Sequence, residues 1–125
     1  MSLDVALYNT NKKTIYCPHC AKEIMVEEKE EGVYGANITH NLNRMAMACG
    51  IYEVLWRPEE INITEASQLI EPLSEGLRKL KGNPDYYKTF DSPNGWGLYI
   101  HFVPFVENYL NACIEYPEAK ISVSR

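Results

Sequence analysis

The chain has no long hydrophobic run. Its longest apolar stretch, Leu98 to Val106, is broken by His101 and Pro104 and is far shorter than the roughly 20 residues a membrane span needs. Positive charge is not in excess either: 12 Lys and Arg stand against 17 Asp and Glu, a formal net charge of −5. Nucleic-acid binders show a basic patch or a basic domain. Here the densest charge run, Glu27-Glu28-Lys29-Glu30-Glu31, is acidic and reads as a solvated turn, so the expectation is no nucleic acid and no membrane as partner. A glycine-rich phosphate loop is missing. So is any motif that sets a nucleophile beside a base, or two carboxylates in separable environments. That makes a non-enzymatic role the expectation. Disorder is excluded as well, because 46 % hydrophobic and 23 % charged residues is ordinary globular composition.

Cysteine is scarce and unevenly placed. Of four, Cys49 and Cys113 fall at apolar helix positions, while Cys17 and Cys20 form Cys17-Pro18-His19-Cys20. The start Met1-Ser2-Leu3-Asp4 has no basic region followed by an apolar core, which predicts no secretory signal and a cytoplasmic protein. In that setting a Cys-x-x-Cys pair reads as metal or thiol chemistry before disulfide scaffold. Two thiolates on a tight turn make half of a tetrahedral zinc site. Completing it would recruit His19, His40, His101 or another subunit's pair; the alternative is an unliganded or redox-sensitive turn.

What is present is a change of period along the chain. Leu3, Val5 and Leu7 alternate with small or polar residues, the two-residue period of a half-buried strand. Thr14 to Tyr16 and Glu23 to Val26 flank the Cys-x-x-Cys turn as a hairpin at about 8–32, and Val33 to Ile38 fits another strand. Leu42, Met45, Ala46 and Cys49 then follow helical spacing, with Thr39 as N-cap and Gly50 as stop. Ile51 to Trp56 predicts a short helix ended before Pro58. A longer helix carries Ala66, Leu69, Ile70, Leu73, Leu77 and Leu80, capped by Thr64 and kinked at Pro72. Asn83-Pro84 opens a further turn, and Asp91 to Gly97 reads as a loop. The last helix presents Phe102, Val106, Tyr109, Leu110 and Cys113 to the core and stops at Pro117. Ile121 and Val123 alternate as a closing strand that pairs beside the first. The expected fold is a single α+β domain over 1–125: a small sheet of N-terminal strands plus the C-terminal strand, packed against three to four helices.

Several segments together resemble a group of small hypothetical proteins of bacteriophage and prophage genomes. They are Met1-Ser2-Leu3-Asp4-Val5, Ala36-Asn37-Ile38-Thr39-His40-Asn41-Leu42, Gly50-Ile51-Tyr52, Leu55-Trp56-Arg57-Pro58, Asn94-Gly95-Trp96-Gly97 and Ile121-Ser122-Val123-Ser124-Arg125. The resemblance covers nearly the whole chain and implies phage origin; none of its segments is a catalytic signature.

Asn37, Thr39, His40 and Asn41 sit where a strand should give way to a helix. Unused backbone N–H groups and the positive helix end would face the same space there, a setting suited to phosphate or carboxylate and to a neutral imidazole on His40. Capping and local backbone bonding is the plainer account of the same residues. Arg57 could add a bidentate anion donor or pair with Glu59, Glu60 or a chain terminus. Trp96, between two glycines, is expected as a buried loop anchor, with stacking on a ligand as the other role. Three readings follow. The first is a phage accessory protein that binds a host or viral partner, as a homo-oligomer. The second is a pocket protein that sequesters or hydrolyses a phosphorylated small molecule such as a nucleotide. The third is a zinc-stabilised adaptor.

Overall fold

A computed structural model describes residues 2–9, 12–16, 23–27 and 31–125, with side chains for 2–9 and 32–125. The alternation of Leu3, Val5 and Leu7 builds strand β1, Ser2–Asn9, with those three side chains buried. β4, Glu31–Thr39, lies antiparallel to it, setting Ile38 opposite Leu3 and Tyr34 opposite Leu7. β5, Lys120–Ser124, pairs with the other side of β1, as the closing alternation predicts. The sheet order is therefore β4-β1-β5, so β4 and β5 are its two edges among the described residues. Between β1 and β4 in the chain, β2, Lys12–Tyr16, and β3, Glu23–Glu27, form a two-stranded antiparallel sheet. Along the chain their pairing nests inside that of β1 and β4, whose register shifts after Leu7.

One face of the sheet carries Leu3, Val5, Leu7 and Ile38 into a core closed by helices. α1, Asn43–Ala48, follows a 3-10 turn over His40–Leu42, and Leu42, Met45, Ala46 and Cys49 are buried as their spacing predicts. Gly50 ends it at φ +82°, a conformation that glycine adopts without strain. α2, Tyr52–Trp56, stops before Pro58. α3, Ser67–Gly82, runs unbroken through Pro72, and α4, Pro84–Lys88, begins on the predicted proline. α5, Tyr99–Glu115, lies against α3 and β4, with Phe102, Val106, Tyr109 and Cys113 fully buried. No helix among the described residues is long and apolar enough to cross a membrane.

The start of α3 differs from expectation. Thr64 does not cap it; the Gln68 side-chain oxygen instead accepts from the backbone N–H groups of Thr64 (2.8 Å) and Glu65 (3.0 Å). The helix is anchored from outside, by Ala66 N–H to the Ala119 carbonyl and Ser67 N–H to the Pro117 carbonyl, both at 2.9 Å. Tertiary bonds thus do what a local cap would have done. Packing of α3 on Ile51 also needs Gly76, where a Cβ would collide with Ile51 Cγ2.

Candidate functional site

A cleft of about 1290 Å³ opens along β4. One wall is the strand itself, through Tyr34, Ala36 and Asn37 to Thr39, continuing into His40 and Asn41. Across from it stand His101, Phe105 and Asn108 of α5, and Asn94 to Gly97 close one end. Five of the six residues expected to bind a ligand, Asn37, Thr39, His40, Asn41 and Trp96, line this one space.

The end loop is a closed turn held by its own polar groups. Asn94 Oδ1 accepts from Ser92 Oγ (2.6 Å) and from Trp96 N–H (3.0 Å), and Ser92 N–H donates to the Gly97 carbonyl (3.1 Å). The turn is then fastened to the strand end, because Asn41 Nδ2 donates to the Trp96 carbonyl at 2.8 Å. So close an approach requires glycine at 97. Its φ is +110°, and a Cβ there would lie 2.9 Å from Asn41 Cβ and 3.3 Å from Thr39 Cγ2. The loop is anchored by backbone and glycine, which leaves the indole out of the core. Trp96 is 70 % exposed, against the expectation of a buried anchor.

His40 is fixed from behind. Trp56, only 2 % exposed and stacked on Tyr52 at 5.5 Å, donates its indole N–H to His40 Nδ1 at 2.9 Å. An Nδ1 that accepts carries no hydrogen, so the ring proton sits on Nε2 and the imidazole offers a donor there. Nothing in the sequence pointed to Trp56 in this role, since the two residues are 16 apart.

The remaining polar groups are partly spent. Asn37 Nδ2 donates across the strands to Ser2 Oγ (2.9 Å) and Asp4 Oδ1 (2.5 Å), leaving its own carbonyl oxygen. Thr39 Oγ1 accepts from Asn41 N–H at 3.3 Å, as a local cap should. That bond uses a backbone donor the anion reading needed, and the 3-10 start of a six-residue α1 makes a weak dipole. Arg57 lies outside the cleft. Its Nε contacts Tyr52 Oη at 3.5 Å and Glu60 at 3.6 Å, and both keep the guanidinium more firmly charged than usual. Among the described residues, no Lys, Arg, Asp, Glu or Cys lines the cleft.

Tyr34 and Phe105 give the cleft an aromatic side. Tyr34 stacks on Tyr109 at 5.8 Å and 11°, and Phe105 tilts against the same ring at 6.2 Å. Burial pushes the Tyr109 hydroxyl well above the usual phenol range, and it finds no partner among the described residues. Burial likewise pushes the Cys113 thiol up to about 12.

Cys17 and Cys20, with His19 between them, lie outside the described residues; among the described residues, no three His, Cys, Asp or Glu side chains gather as a metal site would require. His101, Phe105 and Asn108 were missed as lining residues. The single legible signal was His101 interrupting an apolar run. No protein-family model, no curated protein and no solved structure matches the chain.

Proposed function

We propose that this chain is a non-catalytic binding protein that holds part of a partner protein in the cleft between β4 and α5. The observation that carries the reading is the pairing of an exposed indole, on a loop locked in place, with a cleft walled by amides, hydroxyls and imidazoles and, among the described residues, by no ionised carboxylate, ammonium or guanidinium. An exposed Trp over a partly apolar hollow is the kind of anchor that dominates protein interfaces. The volume exceeds the roughly 300–1,000 Å³ of small-molecule pockets, which favours a longer occupant. Among the described residues that line the cleft, the two imidazoles of His40 and His101 share it with no carboxylate or thiol, which makes a poor catalytic set. A phosphorylated ligand is less well served, since Arg57 is engaged elsewhere and the cleft offers neutral donors only. Resemblance to small phage proteins supports a host or viral partner met in the host cytoplasm.

The test is an NMR titration of the isotope-labelled chain against three probe sets: capped neutral peptides, neutral disaccharides and inorganic phosphate. Peptides should move the amide signals of residues 34–41 and 94–97. Trp96→Ala should then weaken binding by about 2 kcal/mol or more, as loss of an anchor does. Shifts confined to phosphate, or mapping away from the cleft, would refute the reading.

A further inference from the structure

The edge of β4 that is unpaired among the described residues is built unlike an edge meant to stay free. A strand with one neighbour sends the N–H and C=O of alternate residues outward, where they either meet water or pair with another chain. Proteins ordinarily blunt such edges with charge, proline, a bulge or covering chain. From Gly32 to Asn41 there is neither a charged residue nor a proline. The register shift with β1 falls after Leu7, so from Tyr34 to Thr39 the pairing is regular. Among the described residues, only β1 pairs with β4.

This edge is also one wall of the cleft, with α5 and the Trp96 loop across from it. What enters is bounded on both sides, which suits one extended segment better than the broad edge of a second folded copy. A row of alternating N–H and C=O groups that no described strand pairs complements a peptide main chain, which carries the same alternation. We infer that the cleft takes an extended, uncharged segment of a partner protein as a fourth strand of the main sheet, bonded to β4. This rests on reading the cleft as the partner site.

Side-chain preferences follow from the pleat. Alternate residues of the added strand fall on the face of Tyr34 and Ala36, beside Phe105, and are apolar there. Those between fall on the face of Asn37 and Thr39 and are polar. The residue nearest Thr39 lies by the Trp96 ring, within reach of the His40 Nε2 donor. Neutral walls offer nothing to offset the desolvation of a charge, so charged residues in the segment are disfavoured.

The experiment uses the full chain and two arrays of capped octapeptides, one restricted to uncharged residues and one rich in Lys and Glu. The neutral array should give the stronger hits, apolar at alternate positions. N-methylation of a hit, one amide at a time, should weaken binding about tenfold or more at every second position and little between, because only alternate amides face β4. Hydrogen exchange should show alternate amides of residues 34–39 fast in the free chain and slow in the complex. If hits tolerate N-methylation throughout, or no β4 amide gains protection, strand addition is wrong while the cleft remains the partner site. If no peptide of either array binds in a way that Trp96→Ala weakens, the partner-site reading itself fails. If light scattering finds a dimer whose β4 amides are already slow without peptide, the occupant is a second copy and the proposal is overturned.

Discussion

At the outer side of β5 the sheet is closed by its own chain: Ile121 N–H donates to the Thr64 carbonyl at 3.2 Å, Glu65 bridges to Lys120, and a Lys120–Glu65 ion pair at 3.0 Å lies along the join. Arg125 beyond it is tied to Glu59 and to the Trp56 carbonyl. At β4, on the opposite side of the same sheet, none of these devices appears among the described residues, and a cleft stands where covering chain would be. Edges left exposed invite pairing with other chains, so protection at one and exposure at the other separates a structural edge from a working one.

The most disruptive way to erase that contrast is at Gly97. Gly97→Val forces a branched side chain into positive φ and against Asn41 and Thr39. It should cost roughly 2–4 kcal/mol and detach the Trp96 loop, seen as a lower urea midpoint and altered signals at residues 94–97. Next comes His40→Ala, which deprives the buried Trp56 indole N–H of its acceptor. A loss of about 1–3 kcal/mol is expected by chemical denaturation; an unchanged midpoint would mean the bond contributes nothing.

Raising the pH probes the core. Burial lifts the Cys49 thiol to about 11 and the Cys113 thiol to about 12, so the folded chain keeps protons that the unfolded chain releases. That contribution is full below the ordinary value of 9.0 and fades as pH climbs toward the folded values. The urea midpoint should therefore fall as pH rises from about 9 toward about 11, and thiol labelling at about pH 8 should reach neither cysteine without unfolding.

Two smaller changes work on the closed edge. Gln68→Ala removes the acceptor that holds Thr64 and Glu65 in place and should cost about 1 kcal/mol. It should also speed hydrogen exchange at Ile121, making β5 more like β4. Lys120→Ala breaks only an exposed ion pair, and a change of more than about 0.5 kcal/mol would contradict its assignment as a surface contact.

Much of the scaffold was legible because local pattern and tertiary role agree. Leu3, Val5 and Leu7 alternate and are buried on one face; Leu42, Met45, Ala46 and Cys49 recur at helical spacing and are buried together; Pro84 starts a helix and Pro117 follows one. The residues that misled are those whose fate depends on distant chain. Thr64 had the chemistry of a cap, but Gln68 and the carbonyls at 117 and 119 took the work. Trp96 carried the hydrophobicity of an anchor, but Gly97 and Asn41 secure its loop through the backbone and leave the ring out. Asn37, His40 and Trp96 meet in one cleft, while Arg57, one residue from the buried Trp56, turns to Tyr52 and Glu60. No sequence spacing encodes that difference, because it is set by how α2 packs.

The two tryptophans occupy opposite surroundings, Trp56 at 2 % exposure under a histidine and Trp96 at 70 % in open water. Their fluorescence should therefore separate into a short-wavelength component that tracks unfolding and a long-wavelength one that tracks the cleft. Anything settling over the outer indole would move only the second. The chain thus carries its own optical gauge of occupancy, usable before any ligand is known and without a label.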